Sequence, residues 1–153
     1  MKVNLSVNKP ALSGYINLDP AGGEGKYQAL FDDIEKFAGD AQCTEILGDD
    51  TLDFVSVDKI KELVTLFIKK LRHGGRLILG GTDLYSVCQD IFNGKINTRE
   101  ANYLLHGEHK NQWDFRHCQI SLLDLCDLFE KLGLKLNKKR VDGYKMIVEG
   151  ERI

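Results

Sequence analysis

No apolar run in this sequence approaches the roughly 20 residues that a membrane-crossing helix needs, and the opening MKVNLSVNKP lacks the apolar centre of a secretory leader. A cytoplasmic protein is expected, with no membrane partner. The four cysteines, Cys43, Cys88, Cys118 and Cys126, form no C-x-x-C pair, which excludes the commonest spacings of zinc sites and redox couples. Reduced, mostly buried thiols are the expectation. An excess of charge of one sign is missing too. With 21 basic and 23 acidic residues the net charge is -2, which gives no general pull toward nucleic acid or anionic lipid. Repeats and low-complexity stretches are absent. Glycine is missing where it would be most informative: the first apolar stretch leaves through Ser6, Val7 and Asn8, where a loop that cradles phosphate or nucleoside usually carries glycines.

What is present reads as one folded domain. At 153 residues and 42% hydrophobic content the chain can bury a single core, so residues 1–153 are taken as one unit. Val3 to Val7 and Tyr15 to Leu18 flank a Pro-containing loop as two strands. After the mobile AGGEG, Tyr27, Leu30, Phe31, Ile34 and Phe37 recur at helical spacing and predict an amphipathic helix ended by Gly39. CTEIL at 43–47 is a short strand candidate, GDDT a turn, and LDFVSV at 52–57 a strand rich in β-branched residues. Ile60, Leu63, Val64, Phe67, Ile68 and Leu71 form the clearest helical stripe. RLILGG at 76–81 is a strand, followed by a helix capped by Thr82 or Asp83, a short helix in TREANYLLHG, and a last helix capped by Ser121. Asp142-Gly143 between two strand-like runs predicts a terminal antiparallel hairpin. Alternation of this kind implies an α/β fold with a mostly parallel sheet, helices on both faces, and ligands beyond the carboxyl ends of the strands.

Five segments follow one another along nearly the whole chain: VNLSVN at 3–8, GYINLD at 14–19, LDFVSV at 52–57, HGGRLILGGTDL at 73–84 and LLDLCDLFEKLGL at 122–134. Together they resemble the short class I S-adenosylmethionine-dependent methyltransferases, in which a strand L-N-L-G-C-G is followed closely by G-Y-I-N-V-D. The resemblance implies a Rossmann-like methyltransferase fold with an antiparallel last strand, S-adenosylmethionine as cofactor, and methyl transfer to a small-molecule or glycan-like acceptor. It implies that Asp19 binds the ribose hydroxyls, a task that suits two carboxylate oxygens facing a vicinal diol. Residues 4–8, with Asn4, Ser6 and Asn8, would pass under the cofactor. Asp53 would face the methyl group, and His117 would serve as base in an acceptor pocket walled by Trp113 and Phe115. Asp49 and Asp50 are candidates for contact with adenine or ribose, although a solvated turn accounts for them equally well.

Three departures set a rival expectation. Ser6, Val7 and Asn8 stand where the family has glycines, and Val7 is branched at the very carbon that close contact would exclude. Residues 8–13 are too few for a helical crossover. LDFVSV runs straight into DKIKELVTLF, without the H-V-L-E-H segment of short family members. The rival is the same fold kept as a non-catalytic binding or assembly module, self-association included, with its cofactor groove collapsed. His106, Glu108, His109, His117 and Cys118 invite a metal reading, but Gly107 breaks the helix that would aim the first two histidines together, and no metal is expected. Lys135, Lys138, Lys139, Arg140 and Lys145 read as a solvated sheet edge.

Overall fold

The computed structural model describes residues 1–153. Seven strands form one sheet: β1 (Lys2–Leu5), β2 (Ile16–Asp19), β3 (Tyr27–Gln28), β4 (Cys43–Gly48), β5 (Leu71–Thr82), β6 (Leu134–Asp142) and β7 (Lys145–Arg152). Their order is β3-β2-β1-β4-β5-β7-β6, with β7 antiparallel to both neighbours and the remaining contacts parallel. The terminal hairpin turns through Gly143 and Tyr144, because Asp142 pairs with Lys145 and Gly143 takes the left-handed backbone (φ 63) such a two-residue loop needs.

Register and alternation sort the side chains by face. Val3 is opposite Ile46, Ile46 opposite Leu77, and Leu79 opposite Val148, so these residues share one face, and all are buried. Helix α1 (Ile60–Lys70) lays Val64 and Phe67 on that face, and α4 (Leu122–Lys131) lays Leu125 and Phe129 on it. Each such side chain is worth about 1.5–3 kcal/mol on burial. Gly150 lets α4 come close: a Cβ there would lie 2.8 Å from a ring carbon of Phe129. Ser121 caps α4 by accepting from the Asp124 amide at 3.1 Å, and Asp83 caps α2 (Leu84–Phe92) by accepting from the Ser86 amide at 3.1 Å. Helix α3 (Thr98–His106) follows α2 and packs on it. No helix is long and apolar enough to cross a membrane.

The opposite face is polar, with Asn4 beside Asn17 and Glu45 beside Arg76. Neither the β1–β2 nor the β2–β3 connection contains a helix, so helical cover of the two faces is uneven. Over β1 and β2 the roof is the loop before Ile16, pinned by Asn17, whose side chain exchanges hydrogen bonds with the Leu12 amide (2.9 Å) and carbonyl (3.0 Å). Tyr15 donates to Glu45, and Arg76 pairs with Glu45 and with Glu149.

Leu71, expected as the last residue of the helical stripe, instead begins β5, and two further expectations from the sequence need correction. The stretch 27–39 is no α-helix: Tyr27 and Gln28 form the edge strand, and only Phe31–Lys36 coils, as a 3-10 turn. Tyr27 and Leu30 are more than half exposed, so the buried positions of the stripe reduce to Phe31 and Ile34, whose spacing of three suits the tighter helix. Likewise LDFVSV is no strand. CTEILG is β4, and Thr51–Phe54 forms a 3-10 turn beyond its carboxyl end. There Leu52 and Asp53 pack down onto Gly81 of β5, so burial against the sheet overrides β-propensity.

Candidate functional site

The carboxyl ends of β1, β2 and β4 converge, and Asp19 is the last residue of β2. Its side chain is fully buried, and both oxygens are engaged by the chain itself. Oδ1 accepts from the Ala21 amide at 2.8 Å; Oδ2 accepts from the Asn8 amide at 2.8 Å and from the Lys26 ammonium at 2.7 Å. Lys26 Nζ also donates to the Lys9 carbonyl at 2.9 Å, so one cation ties β2 to both flanking loops. That ammonium has little water, its side chain being only 8% exposed. The loop that delivers it contains Gly22, Gly23 and Gly25, all with positive φ, and a Cβ on Gly23 would lie 2.9 Å from Lys26 Cε. These residues do not fit an adenosyl ribose: no oxygen of Asp19 faces an open space, and the diol would have to displace a buried ion pair.

The other residues expected along the cofactor path are divided among separate roles. Asn4, in β1, donates to Asn17 Oδ1 at 2.9 Å. Asn8 takes the left-handed conformation (φ 55) that family glycines would adopt without strain, and asparagine is among the few residues that tolerate it. Ser6 donates its amide to the Leu18 carbonyl at 3.1 Å, while its buried hydroxyl has no partner. Asp49 pairs with Lys145 and Lys9, and Asp50 with Lys9 at 3.0 Å. Partial burial pushes the Asp49 carboxyl up, but hydrogen bonding and attraction from Lys145 and then Lys9 outweigh it and hold the group below its ordinary range.

Asp53 and His117 meet through backbone, the His117 amide donating to the Asp53 carbonyl at 2.6 Å, and no side-chain hydrogen bond joins them. The Asp53 carboxylate turns inward. It accepts from the Thr82 amide (2.8 Å) and hydroxyl (3.0 Å), with Arg116 Nε 3.9 Å away. Burial raises its carboxyl above the ordinary carboxylate range despite Thr82 and Arg116, which favour the anion. Arg116 also donates to the Leu104 carbonyl at 2.7 Å, so this constellation clamps the 107–120 segment onto the end of β5. His109 stacks on Phe115 at 4.1 Å between ring centroids, and no group of three metal-ligating side chains converges anywhere in the chain.

Next to the closed Asp19 lies an open cleft of about 450 Å³, within the size range of small-molecule sites. Val7, Phe31, Phe54, Leu63, Trp113 and Phe115 give it apolar walls, and His117, Lys59, Glu62 and Asp32 stand among them. Trp113, Phe115 and His117, grouped in the sequence, do share this one cleft. Lys26, Thr82 and Arg116 were missed. Only the lysine had a local signal, a cation directly behind a glycine-rich loop and seven residues after the acid; the other two meet Asp53 solely through the fold.

No protein-family model matches the sequence, and no curated protein does. Solved structures do match. The Burkholderia thailandensis 1,6-didemethyltoxoflavin-N1-methyltransferase, with 1,6-didemethyltoxoflavin and S-adenosylhomocysteine bound, superposes with a TM-score of 0.61 at 9% identity. The match covers 90% of this chain and 60% of that one. A methyltransferase from Archaeoglobus fulgidus gives 0.60 at 10% identity over 90% and 76% of the two chains. One from Thermotoga maritima gives 0.60 at 18% identity over 90% and 72%. Both are S-adenosylmethionine-dependent. The present chain therefore spans less than two thirds of the Burkholderia enzyme's length. It has the seven-stranded, Rossmann-like fold of the class I S-adenosylmethionine-dependent methyltransferases.

Proposed function

We propose that this chain is a methyltransferase-fold binding module that has replaced the adenosyl cofactor by an internal lysine and uses the neighbouring cleft to hold a small ligand without methyl transfer. One observation carries the reading: the buried Lys26 ammonium on the buried Asp19 carboxylate, at 2.7 Å. Each buried ion carries a desolvation penalty of several kcal/mol that its partner's attraction offsets, so a ribose, which is neutral, is a poor replacement for the ammonium. The inward-turned Asp53 supports the same reading, since its carboxylate is taken up by Thr82 and is not offered to a reacting methyl.

Methyl transfer to a small-molecule or glycan-like acceptor is the second reading. The left-handed backbone at Asn8 and the unpartnered Ser6 hydroxyl, both beyond β1, favour it. It requires Lys26 to swing out on its glycine loop. Thermal-shift titration with S-adenosylmethionine and S-adenosylhomocysteine decides between them. A ligand at 100 times its dissociation constant stabilises a protein by about 2.7 kcal/mol, which raises the melting temperature of a domain this size by roughly 5 to 10 °C. The expected result is an unchanged melting temperature. A saturable rise with either compound means that the cofactor site opens and that the module reading is wrong.

A further inference from the structure

The free charges around the cleft identify its ligand more closely, given the reading above that the cleft and not the Asp19 site binds. From the cleft a shallow trough runs on between the Phe31–Lys36 turn and α1, sharing Asp32, Glu62 and Leu66 with it. Every lysine along cleft and trough already has a carboxylate: Lys59 has Glu62 at 3.4 Å, Lys36 has Asp33 at 2.9 Å, and Lys69 has Asp40 at 3.3 Å. Two acids form no salt bridge: Asp32, which lines both hollows and feels only the longer-range attraction of Lys36, itself paired with Asp33, and Glu35 further along the trough. An arriving anion would therefore have to break an existing pair, while an arriving cation meets an unpaired carboxylate.

The walls agree with the charges. Phe31, Phe54, Trp113 and Phe115 present aromatic surface to the same space, which accommodates an apolar body and, through the negative faces of the rings, a positive head. We infer that the cleft binds an amphiphilic amine: an aromatic or short alkyl group seated among these rings, with its ammonium directed to Asp32.

The chain has a single tryptophan, and it lines the cleft, so its fluorescence reports occupancy directly. Three probes of one shape separate the charges: 2-phenylethylamine, phenylacetate and 2-phenylethanol, each titrated into the 153-residue chain to about 10 mM, a range that reaches the weak affinities of such small ligands. The expected result is saturable perturbation of Trp113 by the amine, at least tenfold tighter than by the acid or the alcohol. Asp32→Asn should reduce the advantage of the amine to less than threefold while leaving the alcohol unchanged. Asp32→Lys, at the same exposed position, should turn the preference toward phenylacetate; a mere packing role for Asp32 would not reverse it. No binding of the amine, equal binding of all three probes, or an amine preference that survives Asp32→Asn overturns the inference. S-adenosylhomocysteine is titrated alongside, with thermal shift on the wild type and on Lys26→Met. Binding to the wild type defeats the module reading, whereas failure of the amine alone leaves that reading intact and removes only the ligand class.

Discussion

Replacing Lys26 by methionine tests the internal lysine most directly. The substitution keeps the length and apolar stem of the side chain and deletes only the ammonium, leaving the fully buried Asp19 carboxylate with the Asn8 and Ala21 amides as its remaining donors. Removing one partner of a buried ion pair costs about 3–5 kcal/mol, because the other charge stays desolvated and uncompensated. Two backbone hydrogen bonds survive, each at 2.8 Å, and the Lys26 side chain is 8% exposed, so the low end applies and a loss of about 3 kcal/mol is expected. For a domain of this size that is a fall in melting temperature of roughly 6 to 12 °C. Urea unfolding followed by Trp113 fluorescence and by far-ultraviolet circular dichroism measures it, an unchanged slope showing that only stability has moved. Adding Asp19→Asn to Lys26→Met removes the stranded charge while keeping an acceptor oxygen, and most of the loss should return. A Lys26→Met protein within about 0.5 kcal/mol of the wild type, the ordinary range of surface substitutions, would show that the ammonium is solvated and would refute the reasoning.

Acid and base limbs of the stability profile should separate two carboxylates. Asp53 has a raised folded value, so its contribution is complete below about pH 4, the ordinary aspartate value, and is lost as pH rises through the raised one; Asp53→Asn should flatten that decline in urea midpoints. Glu45 behaves oppositely. Burial pushes it up, but Tyr15 and Arg76 bring it below its ordinary range, so its stabilisation is present above about pH 4.3 and lost as pH falls, and Glu45→Gln should flatten the acid limb. Gly150→Ala places a methyl 2.8 Å from Phe129 and 3.1 Å from Leu134, and an overpacking loss of about 1–3 kcal/mol is expected by chemical denaturation. Asn8→Ala should cost about 1 kcal/mol through its positive φ, and Asn8→Gly should not; equal losses would mean that the side chain, not the backbone, holds the loop.

Periodicity and capping made much of the fold legible. The helical stripe from Ile60 as far as Ile68, the Ser121 cap and the turn at Gly143 each act through near neighbours, and the structure has all three where they are expected, while Leu71 at the end of the stripe passes into β5. The 27–39 and 52–57 segments depart from their sequence patterns for a shared reason. Both lie against the carboxyl end of the sheet, where contacts with Gly81, Leu5 and α1 decide the backbone, and sequence spacing carries no record of those contacts. Of the site, the position of Asp19 at a strand end could be read, because it follows from one short motif. Its partner left only a faint local trace, a cation behind a glycine-rich loop, since Lys26 reaches Asp19 only when that loop folds back. Asp53 lies in a stretch whose composition reads as a strand, and its bonds to Thr82 and its approach to Arg116, distant in sequence, are out of reach of any local pattern.

The bare connection between Leu5 and Ile16 has an effect on when water reaches the sheet. Opening that flank does not require lifting a helix off a greasy layer; peeling back one short strap, held by Asn17 and by the Asp19 and Lys26 side chains, is enough to wet the backbone of β1 and β2 from above. In deuterium these amides should therefore exchange through a partial opening, well before β5 and β7, which let go only when the whole domain unravels.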